Sequence, residues 1–186
     1  MAEAQEHLRQ GIALFRSNLR MSKGIRRNLT RTDEDGFVYR CGERKDLKDI
    51  EYLQIRIFRK PLLTWMVWLY RWRLPELSGV VLSPDGKLAG YDLFMFNEAE
   101  YGQKIVHELF VAVAPEFQGR GISTKLRRFS VECYDDNVLK GVSTLAGYND
   151  IKALRSAQKS GFAITKSSAK PPAYYMFVPL ILRYRP

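Results

Sequence analysis

Cysteine and histidine are scarce in this chain, with two of each among 186 residues. Cys41 and Cys133 stand far apart and match no metal-ligand or redox spacing, so no metal is expected; two small buried thiols in a reduced, cytoplasmic setting are. Long apolar runs are missing as well. No stretch reaches the roughly 18 residues that a bilayer-spanning helix needs, and Ala2 to Arg20 mixes charges throughout, so no leader segment is expected there. The chain lacks a Gly-Lys-Ser/Thr ending to any glycine turn, which excludes a Walker loop. It also lacks three spaced glycines followed by an acidic residue, which excludes a dinucleotide fingerprint. Internal repeats and low-complexity tracts are absent. Acidic residues are outnumbered, 20 against 30 basic ones for a net charge of +10. That excess implies a polyanionic partner without choosing among coenzyme, nucleic acid, carrier protein and anionic lipid.

What is present is the composition of an ordinary globular protein, 46% hydrophobic and 27% charged, with enough length for one well-buried core but not for two domains. Residues 3–20 place Leu8, Ile12, Phe15 and Leu19 at helical spacing, which predicts an amphipathic helix packed on the domain or on a second copy of it, as in a homodimer. A polar, charge-rich linker follows over 22–36. The division expected is an extension over 1–35 and a domain over 36–186. Within the domain, strands are predicted near 37–41, 77–82, 88–96, 105–113, 141–146, 162–165 and 174–181. Pro84-Asp85-Gly86 supplies a tight hairpin turn. Helices are predicted from Asp46, over 62–72, over 122–136, and from Asn149 or Asp150 to a glycine cap at Gly161.

The run Val111-Ala112-Val113-Ala114-Pro115-Glu116-Phe117-Gln118-Gly119-Arg120-Gly121-Ile122-Ser123 is the most informative stretch. An apolar strand breaks at a proline, passes through two glycines and enters a helix. Backbone amides over about 119–124 then converge with the positive end of the helix dipole on one spot suited to a pyrophosphate. Arg120 and Lys125 add positive charge there, with Arg127 and Arg128 a turn further on.

Gln118-Gly119-Arg120-Gly121-Ile122-Ser123 resembles the Q/R-x-x-G-x-G/A signature of the GNAT acetyltransferase superfamily, with Ser123 where glycine or alanine is usual. Asn149 through Phe162 resembles a second family segment, ending in Lys-x-Gly-Phe. The order of elements over 36–186 is also similar. The resemblance implies an α/β (α+β) fold with a mixed, mostly antiparallel sheet of six to seven strands flanked by helices. The fourth and fifth strands, over 105–113 and 141–146, would splay apart. It implies acetyl-CoA or another acyl-CoA as co-substrate, contacted by Val113, Gln118, Gly119, Arg120, Gly121, Ile122, Ser123, Thr124, and Asn149 or Asp150. The amide of Val111 would polarise the thioester carbonyl. The tyrosine that often protonates the departing thiolate falls at Ala157, so Ser156 and Tyr148 are the substitutes, with Tyr174 and Tyr175 read mainly as strand packing.

Attack by an amine on a thioester also needs a proton acceptor. Strand alternation puts His107 on the face of Val111 and Val113 and Glu108 on the opposite face unless a bulge intervenes. Trp65, Trp68 and Trp72 recur at i, i+3 and i+7. They form an apolar acceptor wall, a membrane-surface helix flanked by Arg56, Arg59, Lys60, Arg71 and Arg73, or a core helix. The leading expectation is transfer of acetyl from acetyl-CoA to a primary amine in a ternary complex. Alternatives are a longer acyl-CoA or acyl carrier protein acting on an apolar or lipid-linked acceptor, and a non-catalytic CoA-binding module. Nucleic acid is not expected, because the basic residues cluster at the turn rather than spreading along a stripe.

Overall fold

The computed structural model describes residues 2–26, 28–134 and 138–180. Five helices and eight strands follow one another as α1 (Ala2–Met21), β1 (Thr30–Thr32), β2 (Val38–Cys41), α2 (Leu47–Phe58), α3 (Thr64–Leu77), β3 (Ser78–Leu82), β4 (Leu88–Met95), β5 (Ile105–Val113), α4 (Ile122–Tyr134), β6 (Gly141–Gly147), α5 (Ile151–Lys159), β7 (Ala163–Ala169) and β8 (Pro172–Pro179). The strands form one sheet in the order β1-β2-β3-β4-β5-β6-β8-β7. Among the described residues only β5 and β6 run parallel, and the other neighbouring pairs are antiparallel.

The central strands β3, β4 and β5 are buried on both faces over most of their length, which fits a sheet covered by helices on each side. Tyr91 of β4 bonds Gln54 on α2, whereas Phe94 of the same strand packs edge-on against Tyr134 of α4, with centroids 5.0 Å apart. Residues of opposite parity therefore face opposite helical layers. The α2/α3 layer buries Ile50, Leu53, Leu69 and Leu74, and the α4 layer buries Leu126, Phe129 and Cys133. Both cysteines are buried and outside any disulfide, on β2 and α4, within one apolar cluster.

The sheet has an eighth strand because 22–36 is more than a linker. Thr30–Thr32 pairs antiparallel with β2, Ile25 sits in the core, and the Arg26 guanidinium lies over the Tyr134 ring at 4.7 Å. The preceding helix is anchored too. Asn18, fully buried, donates to Phe96 O at 2.9 Å and accepts from Phe96 N at 2.6 Å, closing the end of β4 as a strand neighbour would. Gly11 lets α1 approach α3 so closely that a Cβ there would lie 3.0 Å from the Trp65 ring.

Two local expectations change. Asp46 does not cap α2 with its side chain; its carboxylate holds Arg40 at 2.7 Å and 2.9 Å and accepts from Glu43 N at 2.7 Å, an ion pair outcompeting the cap. The tryptophan helix runs on to Leu77 across a kink at Arg73 (φ −131°, ψ 22°), two residues before Pro75, whose ring crowds the preceding turn.

Candidate functional site

The parallel pair that separates. β5 and β6 are in register from Ile105↔Gly141 to Glu108↔Thr144 and no further. Thr144 Oγ1 donates to Glu108 O at 3.2 Å at the fork. Beyond it β6 stays with β8 as far as Gly147↔Ala173, while among the described residues 109–113 keeps β4 as its one strand neighbour. Ala114 N donates to Ala89 O at 2.8 Å. By period-two alternation the amide of Ala112 also points to β4, and those of Val111 and Val113 point away from it into the fork. The Val113 carbonyl is already taken, by Gln118 Nε2 at 2.9 Å. The Val111 amide thus points away from β4 into the fork.

A cavity of about 550 Å³ opens along this edge, bounded by Ile57 and Phe58 of α2, Val111 to Val113, the glycine turn, and the faces of α4 and α5 that carry Thr124 and Ser156. Gly119 (φ +81°) and Gly121 (φ +74°) both adopt left-handed backbone, which L side chains enter only at a cost. The first bond of α4 is Lys125 N to Gly121 O, 3.1 Å, so the amides of Ile122, Ser123 and Thr124 have no helical acceptor and are free for an anion. The Ser123 hydroxyl turns sideways, 3.1 Å from Ser156 Oγ, so the serine leaves the approach to its own amide open. Of the expected coenzyme contacts, Val113, Gln118, Gly119, Gly121, Ile122, Ser123, Thr124 and Asp150 line the cavity. Arg120 is exposed on the same turn.

The positive charge comes from an unexpected helix. Lys125 is bound to Asp33 at 2.8 Å, with Glu34 and Asp35 3.9 Å away, Arg128 donates to Lys159 O at 2.6 Å, and Arg127 is buried in an ion pair. Lys152, Arg155 and Lys159 of α5 line the cavity beside the paired Arg127. Their i, i+3, i+7 spacing was the available sequence signal for a common face. Asp150 caps that helix by accepting from Ala153 N at 2.9 Å. Asn149 lies with Tyr148 in a separate shallow pocket. The Tyr148 hydroxyl donates to Ser168 O at 2.8 Å and its ring packs on Tyr174, centroids 4.6 Å apart. Ser156 is therefore the cavity residue of the two proposed proton donors, and Tyr148 is held elsewhere.

The bulge changes the faces of the base candidates. Leu93 pairs with Phe110 and Phe94 with Glu108, so Leu109 is an extra residue in β5 and the phase reverses there. Glu108, rather than His107, shares the face of Val111 and Val113. Its carboxylate is fully engaged: Arg127 Nε lies 3.0 Å from both oxygens and Arg127 Nη2 2.9 Å from Oε2, and Arg127 Nη1 reaches Ala153 O at 3.0 Å. His107, on the α2/α3 side, has Nδ1 2.8 Å from Ser143 Oγ and 3.6 Å from Glu100 Oε2. Glu100 accepts in turn from the Tyr175 hydroxyl and from Asn97 Nδ2. Burial pulls the His107 pKa below its ordinary value, against the raising pull of Glu100 and Glu108. Glu100 and Ser143 gave no signal in sequence, since only the parallel pairing of His107 with Ser143 and the loop over 97–104 bring them together. Near the ion pair, both carboxylate oxygens of Asp92 are buried without a partner, and desolvation raises its pKa well above the usual range, with the neighbouring Glu108 charge adding to it.

None of the tryptophans lines the cavity. Trp65 packs under Gly11, while Trp68 and Trp72 stand on the outer surface; α3 lies against α1 and so turns this face away from the fork.

Residues 47–162 match the model of the Acetyltransferase (GNAT) family, more than half of the chain. No curated protein sequence matches significantly. Similar solved structures include Ard1 from Thermoplasma volcanium, 19% identical over 78% of this chain and 98% of that one with a TM-score of 0.61. Another is spermidine N-acetyltransferase from Vibrio cholerae in complex with CoA and spermine, 18% identical over 77% and 95% with a TM-score of 0.62. A chain of the NatC complex bound to Gag peptide and CoA is 16% identical over 78% and 99%, with a TM-score of 0.65. The forked parallel pair, the glycine turn at the head of α4 and the match over residues 47–162 make this chain a member of the GNAT family of acetyltransferases.

Proposed function

We propose that the chain transfers the acetyl group of acetyl-CoA to a primary amine by direct attack in a ternary complex. The observation that carries this reading is the fork, where the Val111 amide and the free amides of Ile122 to Thr124 border one cavity. The turn from Gly119 to Thr124 holds the pyrophosphate, with Lys152, Arg155 and Lys159 supplying charge. The Val111 amide donates to the thioester oxygen as negative charge develops on it, a contribution of about 3 kcal/mol to the barrier.

His107 is the base. With Nδ1–H given to Ser143 and steered by Glu100, the neutral ring keeps Nε2 as its acceptor. Nε2 takes the proton of the attacking amine as the C–N bond forms. The C–S bond then breaks, and the thiolate takes a proton from Ser156 or from water. Glu100 acts through His107 and is a positioning residue. The buried thiols of Cys41 and Cys133 suit a cytoplasmic setting. The apolar end of the cavity at Ile57 and Phe58 favours a second acyl reading, a longer chain lying against those side chains.

Thermal melting with CoA, acetyl-CoA and longer acyl-CoAs tests the reading. Ligand at about 100 times its dissociation constant adds roughly 2.7 kcal/mol of stability. Gly121→Asp, which sets a carboxylate where phosphate belongs, is expected to abolish the shift. No shift with any of these ligands refutes the site.

A further inference from the structure

The face that α1 and α3 turn outward has no role in the chemistry above. Trp68 and Trp72 are 49% and 62% exposed, four residues apart and so on one side of α3. The Arg71 guanidinium stacks on Trp68, 4.9 Å from the ring centroid. On α1, Phe15 and Leu19 pack inward against the core, leaving Arg9, Arg16 and Arg20 exposed at i, i+7 and i+11. Gly11 meets Trp65 and Leu19 O meets Arg73 Nε at 3.2 Å, so the two helices lie side by side in the same direction. Arg9, Arg16 and Arg20 lie on the side of α1 opposite Gly11, so they and the exposed indoles of α3 both point outward from this helix pair. Among the described residues none of Arg9, Arg16, Arg20 and Arg71 forms an ion pair.

We infer that this face docks on an anionic lipid surface. The occupant must accept two indoles into an apolar, partly wet layer and neutralise four guanidinium groups, and the headgroup region of an anionic bilayer does both. A second copy of the chain would set the same four positive charges against themselves. Among the described residues no helix is long and apolar enough to cross a membrane, so attachment is peripheral. It does not depend on the acetyl-transfer reading, because no residue of the face lines the cavity.

The full chain is sedimented with phosphatidylcholine vesicles, with and without phosphatidylserine, while tryptophan fluorescence is recorded. Binding to the anionic vesicles at low salt is expected, with a blue-shifted emission and weaker binding as salt rises. Trp68→Ser combined with Trp72→Ser is expected to lower partitioning at least tenfold. Each of Arg16→Gln and Arg71→Gln is expected to lower it about fivefold, about 1 kcal/mol for the one charge lost. In every variant the melting temperature and its CoA shift are to stay unchanged, which separates failure here from failure at the coenzyme site. The proposal is overturned by any of three results: no vesicle binding at low salt, undiminished binding by the double tryptophan variant, or a tryptophan response to single-stranded DNA but not to vesicles.

Discussion

Glu108→Gln separates a structural role for this carboxylate from a catalytic one. Three nitrogen–oxygen contacts of 2.9–3.0 Å join Glu108 to Arg127, and the side chains keep 1% and 7% of their accessible surface. The amide substitute keeps one oxygen that can accept from Arg127, beside the Ala153 carbonyl, but removes the charge that balances the buried guanidinium and replaces the second acceptor by an NH2 donor. An uncompensated charge of this kind costs about 3–5 kcal/mol. For a chain of this size each kcal/mol moves the melting temperature by about 2–4 °C, so a fall of about 6–20 °C is expected by calorimetry. Urea unfolding should give a lower midpoint at an unchanged slope. Because the pair ties β5 to α4 and, through Ala153, to α5, CoA affinity should fall as well. Replacing both partners by apolar residues, Glu108→Leu with Arg127→Met, should recover most of the lost stability, since the desolvation penalty disappears together with the attraction. A melting temperature within about 2 °C of the parent, combined with a rate loss of about 10²- to 10⁴-fold, would refute this reasoning and make Glu108 the base.

His107→Ala should lower turnover about 10²- to 10⁴-fold while sparing the CoA-induced thermal shift; an intact rate across pH would mean that this histidine carries no proton. Since burial lowers its pKa, the folded protein binds fewer protons than the unfolded chain below the ordinary value of about 6.5. Stability attributable to this group is therefore complete above that value and is lost as pH falls below it, and His107→Gln should flatten that limb of a melting-temperature profile. Asp92 has the opposite sign. Its raised pKa keeps a proton in the fold that the unfolded chain releases above about pH 3.9, so its contribution falls as pH rises from there toward the folded value, by up to about 1.4 kcal/mol per unit. Asp92→Asn, which imitates the protonated group, should match or exceed the parent in stability at neutral pH; a loss greater than about 2 kcal/mol would mean that the carboxylate is ionised and held by Arg26 and Arg127.

The glycine turn, the strand before it and the helix after it could be read directly, because proline, left-handed glycines and period-two apolar residues act within a few positions of one another. The order of the elements and the asparagine and lysine-glycine segments around α5 were equally local. What the sequence could not determine depended on register and on distant partners. One extra residue at Leu109 moved Glu108 to the face of Val111, and no composition signal marks a bulge. Lys125 and Arg127 looked like phosphate ligands until Asp33 and Glu108, each remote in sequence, took them. Lys152, Arg155 and Lys159 took their place because α5 turns that face to the cavity. Trp68 and Trp72 matched a core helix by hydrophobicity, yet α3 has only one covered side and the other was left to solvent. Local pattern determined which segments are strand, turn and helix and that the turn suits a pyrophosphate. Tertiary structure alone decided which charges are paired, which of His107 and Glu108 shares the face of Val111 and which apolar face stays uncovered, because each is settled by a partner far away in the chain.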